Sequence, residues 1–170
     1  MLLVSDKNAH TAFIAGVKAN PSAGQLTVLQ AEHEIDFISS FAQRLQHSKG
    51  ERILGLVDDA SGMLLLDIAR STGARVHWMG QHATLNGTSR HCISATTQHA
   101  NCITQFAEHA HSCSRPAAMT EQTLSAGSDW AASLGFALAS AEPNRRYLRT
   151  TPPTQTAAVD GHFVSFSIET

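Results

Sequence analysis

Apolar positions follow two rhythms along this chain, and the rhythm changes about halfway. Through the first eighty residues, short apolar runs alternate with longer amphipathic ones. Leu2–Val4 reads as a buried strand ending at Asp6. Ala9–Ala19 reads as a helix that Asn20-Pro21 closes, because proline lacks the N–H and clashes with the preceding turn. Leu26–Leu29 predicts a second strand. A helix follows over Glu34–Gln46, with Ile35, Ile38, Phe41, Ala42 and Leu45 at helical spacing. Arg52–Val57 is the clearest buried strand, and Asp58-Asp59-Ala60-Ser61-Gly62 leads from it into the clearest helix. Asp58, Asp59 or Ser61 can accept from its exposed N–H groups, Arg70 suits its last turn, and Gly73 supplies a left-handed stop. Strand–helix units repeated in this way predict parallel strands joined by right-handed helical crossovers.

Beyond residue 74 the pattern becomes that of paired strands. Arg75–Thr84 and Ser89–Thr97 flank Leu85-Asn86-Gly87-Thr88, and Asn-Gly suits the positive φ angles of a type I′ hairpin turn. A helix is expected from about Gln98 to Ser112, a break at Pro116, another helix over Ser128–Ser140 ended by Pro143, and a loop over residues 150–159. Asp160-Gly161 then turns into a last strand with Val164, Phe166 and Ile168 on one face and Ser165 and Ser167 on the other. The expected fold is a single α/β domain over residues 1–170. It has three layers: a mainly parallel sheet, an antiparallel hairpin added near one edge, and helices on both faces.

Composition narrows the function classes. With 170 residues, 42% of them hydrophobic and 15% charged, the chain is long and apolar enough to bury a core. A net charge of -2 argues against a nucleic-acid footprint, and the only dense basic spot is Arg145, Arg146 and Arg149. No apolar run has membrane-spanning length and the first residues do not resemble a signal peptide, so a cytoplasmic protein is expected. Three cysteines (Cys92, Cys102 and Cys113) form no disulfide framework and fit a reducing compartment. Ten histidines are many for this length.

Two groups of residues carry candidate chemistry. Open parallel sheets bind ligands beyond the carboxyl ends of their strands, and those ends offer Asp6, His33, Asp58 and Asp59 as ligand-binding candidates. Adjacent carboxylates there suit a hard cation or helix capping. The second group is the histidines and cysteines. A two-residue turn at Asn86-Gly87 places His82 directly opposite His91, and Gln81 opposite Cys92. Trp78, Ile93 and Ala95 share the face of the histidine pair, which puts the pair at the margin of the core. In the helix that follows, His99, Cys102, Phe106, His109 and Cys113 lie within one arc, with His109 about 10 Å beyond Cys102 along the axis. His82, His91, Cys102 and His109 are therefore the candidate ligands for a divalent metal, although no CxxC or HExxH spacing is present. No GxSxG elbow and no glycine-rich phosphate loop occurs.

Residues 1–82 resemble the receiver domains of bacterial response regulators. MLLVSD resembles the first strand of that fold, and ILGLVDDASGMLLLDIARSTGARVHWM its third strand, helix and fourth strand. The resemblance implies that Asp58 or Asp59 matches the phospho-acceptor position and Asp6 a metal-holding acid. Ser5-Asp6-Lys7 holds one acid where that family has a pair, and no hydroxyl residue directly follows Trp78-Met79. What is implied is a receiver-like scaffold without phosphotransfer.

With no complete catalytic constellation legible, the expected function is a non-enzymatic ligand-binding or protein-interaction module of regulatory type. It needs no cofactor, and its partner is a small molecule or another protein rather than nucleic acid or membrane. The alternative is a metal-dependent, hydrolase-type enzyme using the His, Asp and Cys residues named above.

Overall fold

A computed structural model describes residues 1–5, 8–31, 35–109, 121–126, 129–140 and 160–170. Within these the chain runs β1 (Leu2–Val4), α1 (Asn8–Ala19), β2 (Val28–Gln30), α2 (Ile35–His47), β3 (Arg52–Asp58), α3 (Asp59–Ser71), β4 (Arg75–Leu85) and β5 (Thr88–Ala95). A 3-10 turn at Thr97–His99 then precedes α4 (Ala100–His109), β6 (Glu121–Ala126), α5 (Trp130–Ala139) and β7 (Gly161–Glu169). The expected breaks at Pro116 and Pro143, the loop over 150–159 and the basic spot at Arg145, Arg146 and Arg149 lie outside the described residues.

All seven strands form one sheet, in the order β2-β1-β3-β7-β4-β5-β6. The sheet is mixed. Parallel pairing is confined to β1 with β2 and β1 with β3, and the other four pairings are antiparallel. The expectation of a mainly parallel sheet therefore gives way to a parallel half and an antiparallel half. The reason is β7, which enters between β3 and β4 and runs antiparallel to both. Its residues Phe163–Ile168 are all buried. A strand shielded on both faces belongs in the middle of a sheet, and the alternating serines do not mark a solvent face.

The hairpin forms as expected, with Asn86 at φ 51° and Gly87 at φ 73°, both positive as a type I′ turn requires. It does not end the sheet, since β6 pairs along β5 beyond it. β6 is the strand that the sequence pattern missed, because Glu121-Gln122-Thr123-Leu124-Ser125-Ala126 carries neither an apolar run nor a clear alternation.

Two apolar clusters cover the two faces. On one, Leu3, Ile53, Val57, Val164, Phe166 and Ile168 of the sheet meet Phe41 and Leu45 of α2 and Leu65, Leu66 and Ala69 of α3. Gly62 lets α3 lie close to β7, since a Cβ there would fall 2.3 Å from that of Val164. On the other face, α1, α4 and α5 pack over Leu2, Leu54, Leu56, Trp78, Ile93 and Phe163.

All ten residues of α5 are buried, as its apolar composition on every side demands. It crosses α1 at backbone contact: a Cβ on Gly16 would stand 2.0 Å from the Ala132 oxygen, and one on Gly135 would stand 2.2 Å from the Phe13 oxygen. The carbonyls at its C-terminal end are taken up by donors from elsewhere. Arg52 Nη2 donates to the Leu138 oxygen at 2.5 Å, and Asn20 Nδ2 to the Phe136 oxygen at 2.8 Å. A cation there also suits the negative end of the helix dipole.

Candidate functional site

The β4–β5 ladder sets His82 against His91 and Gln81 against Cys92, as the turn chemistry predicts. Trp78, Ile93 and Ala95 share the imidazole face and belong to its apolar cluster. The pair sits deeper than the expected margin of the core, with His82 2% and His91 0% exposed. Trp130 of α5 stacks on His82 with centroids 4.9 Å apart, and Phe106 of α4 meets His91 edge-on at 5.2 Å.

A chain of hydrogen bonds runs through this aromatic box, and elementary donor counting gives it a direction. Trp78 Nε1–H is a donor only, and it donates to Ser165 Oγ at 2.9 Å. The Ser165 hydroxyl proton is then directed to His82 Nε2, 2.7 Å away. With Nε2 accepting, neutral His82 carries its proton on Nδ1 and donates it to His91 Nδ1 at 2.7 Å. Neutral His91 must then hold its own proton on Nε2, a buried atom with no hydrogen-bond partner among the described residues. The opposite direction would leave the Ser165 proton without an acceptor among the described residues as well. Burial keeps both rings neutral. It lowers His91 to about 4, and it lowers His82 well below the usual imidazole range, with the neighbouring His91 adding to the effect.

Of the four candidate metal ligands, the described side chains bring His82 and His91 into contact with each other. The Nδ1 atoms of His82 and His91 are engaged with each other through a shared proton, and in this tautomer His91 Nε2 is an N–H rather than a lone pair. Cys102 is buried in the cluster that includes Ile103 and Phe106, and burial pushes its thiol up to about 11. His109 closes α4, and its side chain lies outside the description. Among the described residues, no group of three or more His, Cys, Asp or Glu is arranged to hold a metal ion.

A second histidine pair has no counterpart in the sequence pattern. A bulge between Val76 and Trp78 turns His77 toward His99, and the rings stack with centroids 4.9 Å apart. His77 Nε2 lies 2.9 Å from Glu169 Oε2. His99 is lowered to about 4, first by burial and then by the charges of Arg52 and His77. Strict alternation along β4 would put His77 on the opposite face from Trp78, so only the bulge reveals this contact.

Of the strand-end candidates, Asp6 and His33 lie outside the described residues. Asp58 is the N-cap of α3, where its carboxylate accepts from Ser61 N at 3.0 Å and from the Ser61 hydroxyl at 2.7 Å. Asp59 is exposed and faces a cavity of about 320 Å³.

That cavity lies between the start of α3 and the sheet face on the α3 side. Gln81, Ala83, Arg90, Cys92 and His162 line it together with Asp59. His82, His91 and Phe163 border it only from strand positions whose side chains point to the other face, as pleat alternation and their packing against α4 and α5 require. The imidazole pair and the cavity are thus back to back across one layer of backbone. Sequence reasoning missed Gln81, Arg90 and His162 as site residues. A signal was present in β5, where Thr88, Arg90 and Ser94 alternate with buried positions. In β4 only Gln81 is polar among Met79, Gln81, Ala83 and Leu85, and His162 arrives only through the central placement of β7.

Comparison with protein families, characterised proteins and solved structures finds no match.

Proposed function

We propose that this chain is a non-catalytic binding module whose small-molecule ligand sits in the cavity between α3 and the β7–β4–β5 face. One observation carries the reading. Asp59, Gln81, Arg90 and His162 converge on the cavity, and their side chains make no hydrogen bond or ion pair with the described residues. All four are exposed, so water satisfies them until a ligand displaces it, and their grouping around a single concavity supports a place for an outside partner.

The spacing of the potential nucleophile and base among the described residues favours binding over chemistry. Cys92 and His162 line the same cavity, but they lie on strands two apart and in different rows of the ladder. Their Cα atoms are therefore about 12 Å apart, too far for a thiol–imidazole dyad. The receiver-like reading enters as a scaffold only: the β2-β1-β3 order supports a Rossmann-like half, and the capping role of Asp58 supports a site without phosphotransfer. The sparse cysteines favour a reducing, cytoplasmic setting for such a module.

The test is a small-molecule screen by amide chemical shifts on the isotope-labelled chain. Ligands are expected to shift Gln81, Ala83, Arg90 and His162 and to raise the melting temperature with concentration. Ala83→Leu, which fills the cavity floor, should abolish both effects while the protein stays folded. Hits that map to other surfaces and survive Ala83→Leu defeat the proposal. So does a purified protein that carries about one metal per chain and loses it on His82→Ala or His91→Ala; that result supports the metal-enzyme alternative.

A further inference from the structure

The cavity's wall is built from charges of both signs in fixed relative positions. His162 of β7 is paired with Ala83 of β4, and Ala83 with Arg90 of β5, so the three residues form one row across adjacent strands. Residues in such a row share a face, and neighbouring strands stand about 4.8 Å apart. Arg90 and His162 therefore straddle the Ala83 methyl with about 10 Å between their Cα atoms. Both side chains are longer than alanine, and the short residue between them leaves the gap open. Two charge-assisted hydrogen bonds of about 2.8 Å and the width of one oxyanion bridge it when the side chains lean inward. Arg90 brings a planar fork suited to a carboxylate or phosphate, and His162 brings an imidazole N–H.

Asp59 stands on α3 and faces the sheet rather than lying in the row. Its carboxylate has no partner among the described residues, whereas that of neighbouring Asp58 is satisfied by Ser61. A ligand that is only an anion would satisfy Arg90 and meet repulsion from Asp59. A ligand that is only a cation would do the reverse. Gln81, one row along the same face, offers both an N–H donor and an oxygen acceptor to the middle of a bound molecule.

We infer that the cavity takes a small zwitterion, with its oxyanion end held between Arg90 and His162 over Ala83 and its ammonium end on Asp59. The volume of about 320 Å³ suits a molecule of amino-acid to dipeptide size. This inference rests on the proposed function and narrows it to one class of ligand.

The full chain, isotope-labelled and at low ionic strength, is titrated separately with glycylglycine, 4-aminobutyrate and phosphoethanolamine as zwitterions. Acetate and inorganic phosphate serve as anions, ethylammonium as the cation and ethylene glycol as the neutral control. At least one zwitterion is expected to shift the amides of Ala83, Arg90 and His162 saturably, and to bind at least tenfold more tightly than any single-charge probe. Arg90→Gln and Asp59→Asn should each weaken it tenfold or more while leaving the melting temperature near that of the parent. If acetate, phosphate or ethylammonium binds as tightly as the zwitterions, or if neither variant weakens binding, the zwitterion assignment is overturned while the cavity remains a binding site. If no probe and no member of the broader screen shifts these amides, the binding-module reading falls as well.

Discussion

His82 Nδ1 and His91 Nδ1 lie 2.7 Å apart across the hairpin, and the one proton between them belongs to a relay that starts at Trp78. The two rings are cross-strand partners, so the ladder holds them in contact before any helix packs on them. Their neutral state follows from burial, and the directed chain through Ser165 allows three polar side chains to sit under α5. Removing its middle member exposes the energetics. Ser165→Ala leaves Trp78 Nε1 and His82 Nε2 buried without partners, at about 1–3 kcal/mol each. Adding Trp78→Phe to Ser165→Ala should lose less than the two single changes combined, because the indole donor is then no longer orphaned. Urea unfolding of the four proteins measures this, and strict additivity would contradict the relay.

Acid should destabilise the fold in a defined window. In the unfolded chain the histidines titrate near 6.5, whereas folded His91 and His99 stay neutral down to about 4. Between those values unfolding takes up protons. The stability these groups allow is therefore fully present above about pH 6.5 and declines as pH falls toward 4, by about 3 kcal/mol per histidine at most. His82 adds to the decline in the same direction. Unfolding free energies at pH 7.5, 6 and 5 should fall in that order, and a flat profile would show that the rings are solvated.

The α1–α5 crossing should tolerate no side chain at its glycines. Gly135→Ala places a methyl group 2.2 Å from the Phe13 oxygen, a backbone atom that cannot swing aside. The helices must separate, at about 1–3 kcal/mol or more. Gly24→Ala meets nothing within 4 Å and serves as the control. Equal melting temperatures for the two variants would mean that the helices are not in contact as described.

Gly87→Val tests the hairpin through the backbone alone, because a Cβ at Gly87 has open space around it. At φ 73° a β-branched residue is strained, and a loss of about 1 kcal/mol or more is expected. A variant that melts like the parent argues against the type I′ turn, and the register that joins His82 to His91 would lose its support.

Much of this protein was legible in its residue order because the signals are local. Asn86-Gly87 dictates a tight turn, and the turn dictates the His82–His91 register. Asp58, Arg70 and Gly73 bound α3 through capping and a positive φ that act within a few residues. The period-two pattern of the last strand is also real, with Val164, Phe166 and Ile168 against α2 and α3. Asp58, the residue at the receiver-like acceptor position, accepts from Ser61 N and the Ser61 hydroxyl as a helix cap does.

Pairing between distant segments is a different matter, because a strand's own residues state that it pairs but not with which neighbour. The sequence by itself determined the elements, the hairpin and the face shared by the two imidazoles. Only the tertiary structure decided that β7 lies between β3 and β4, and that one placement had three consequences. It makes the sheet mixed, buries Ser165 beneath α5 to complete the histidine relay, and sets His162 in a row with Ala83 and Arg90. The physical reason is burial on both sides: residues Phe163–Ile168 lose their water only at the centre of the sheet, where one face meets α3 and the other α5.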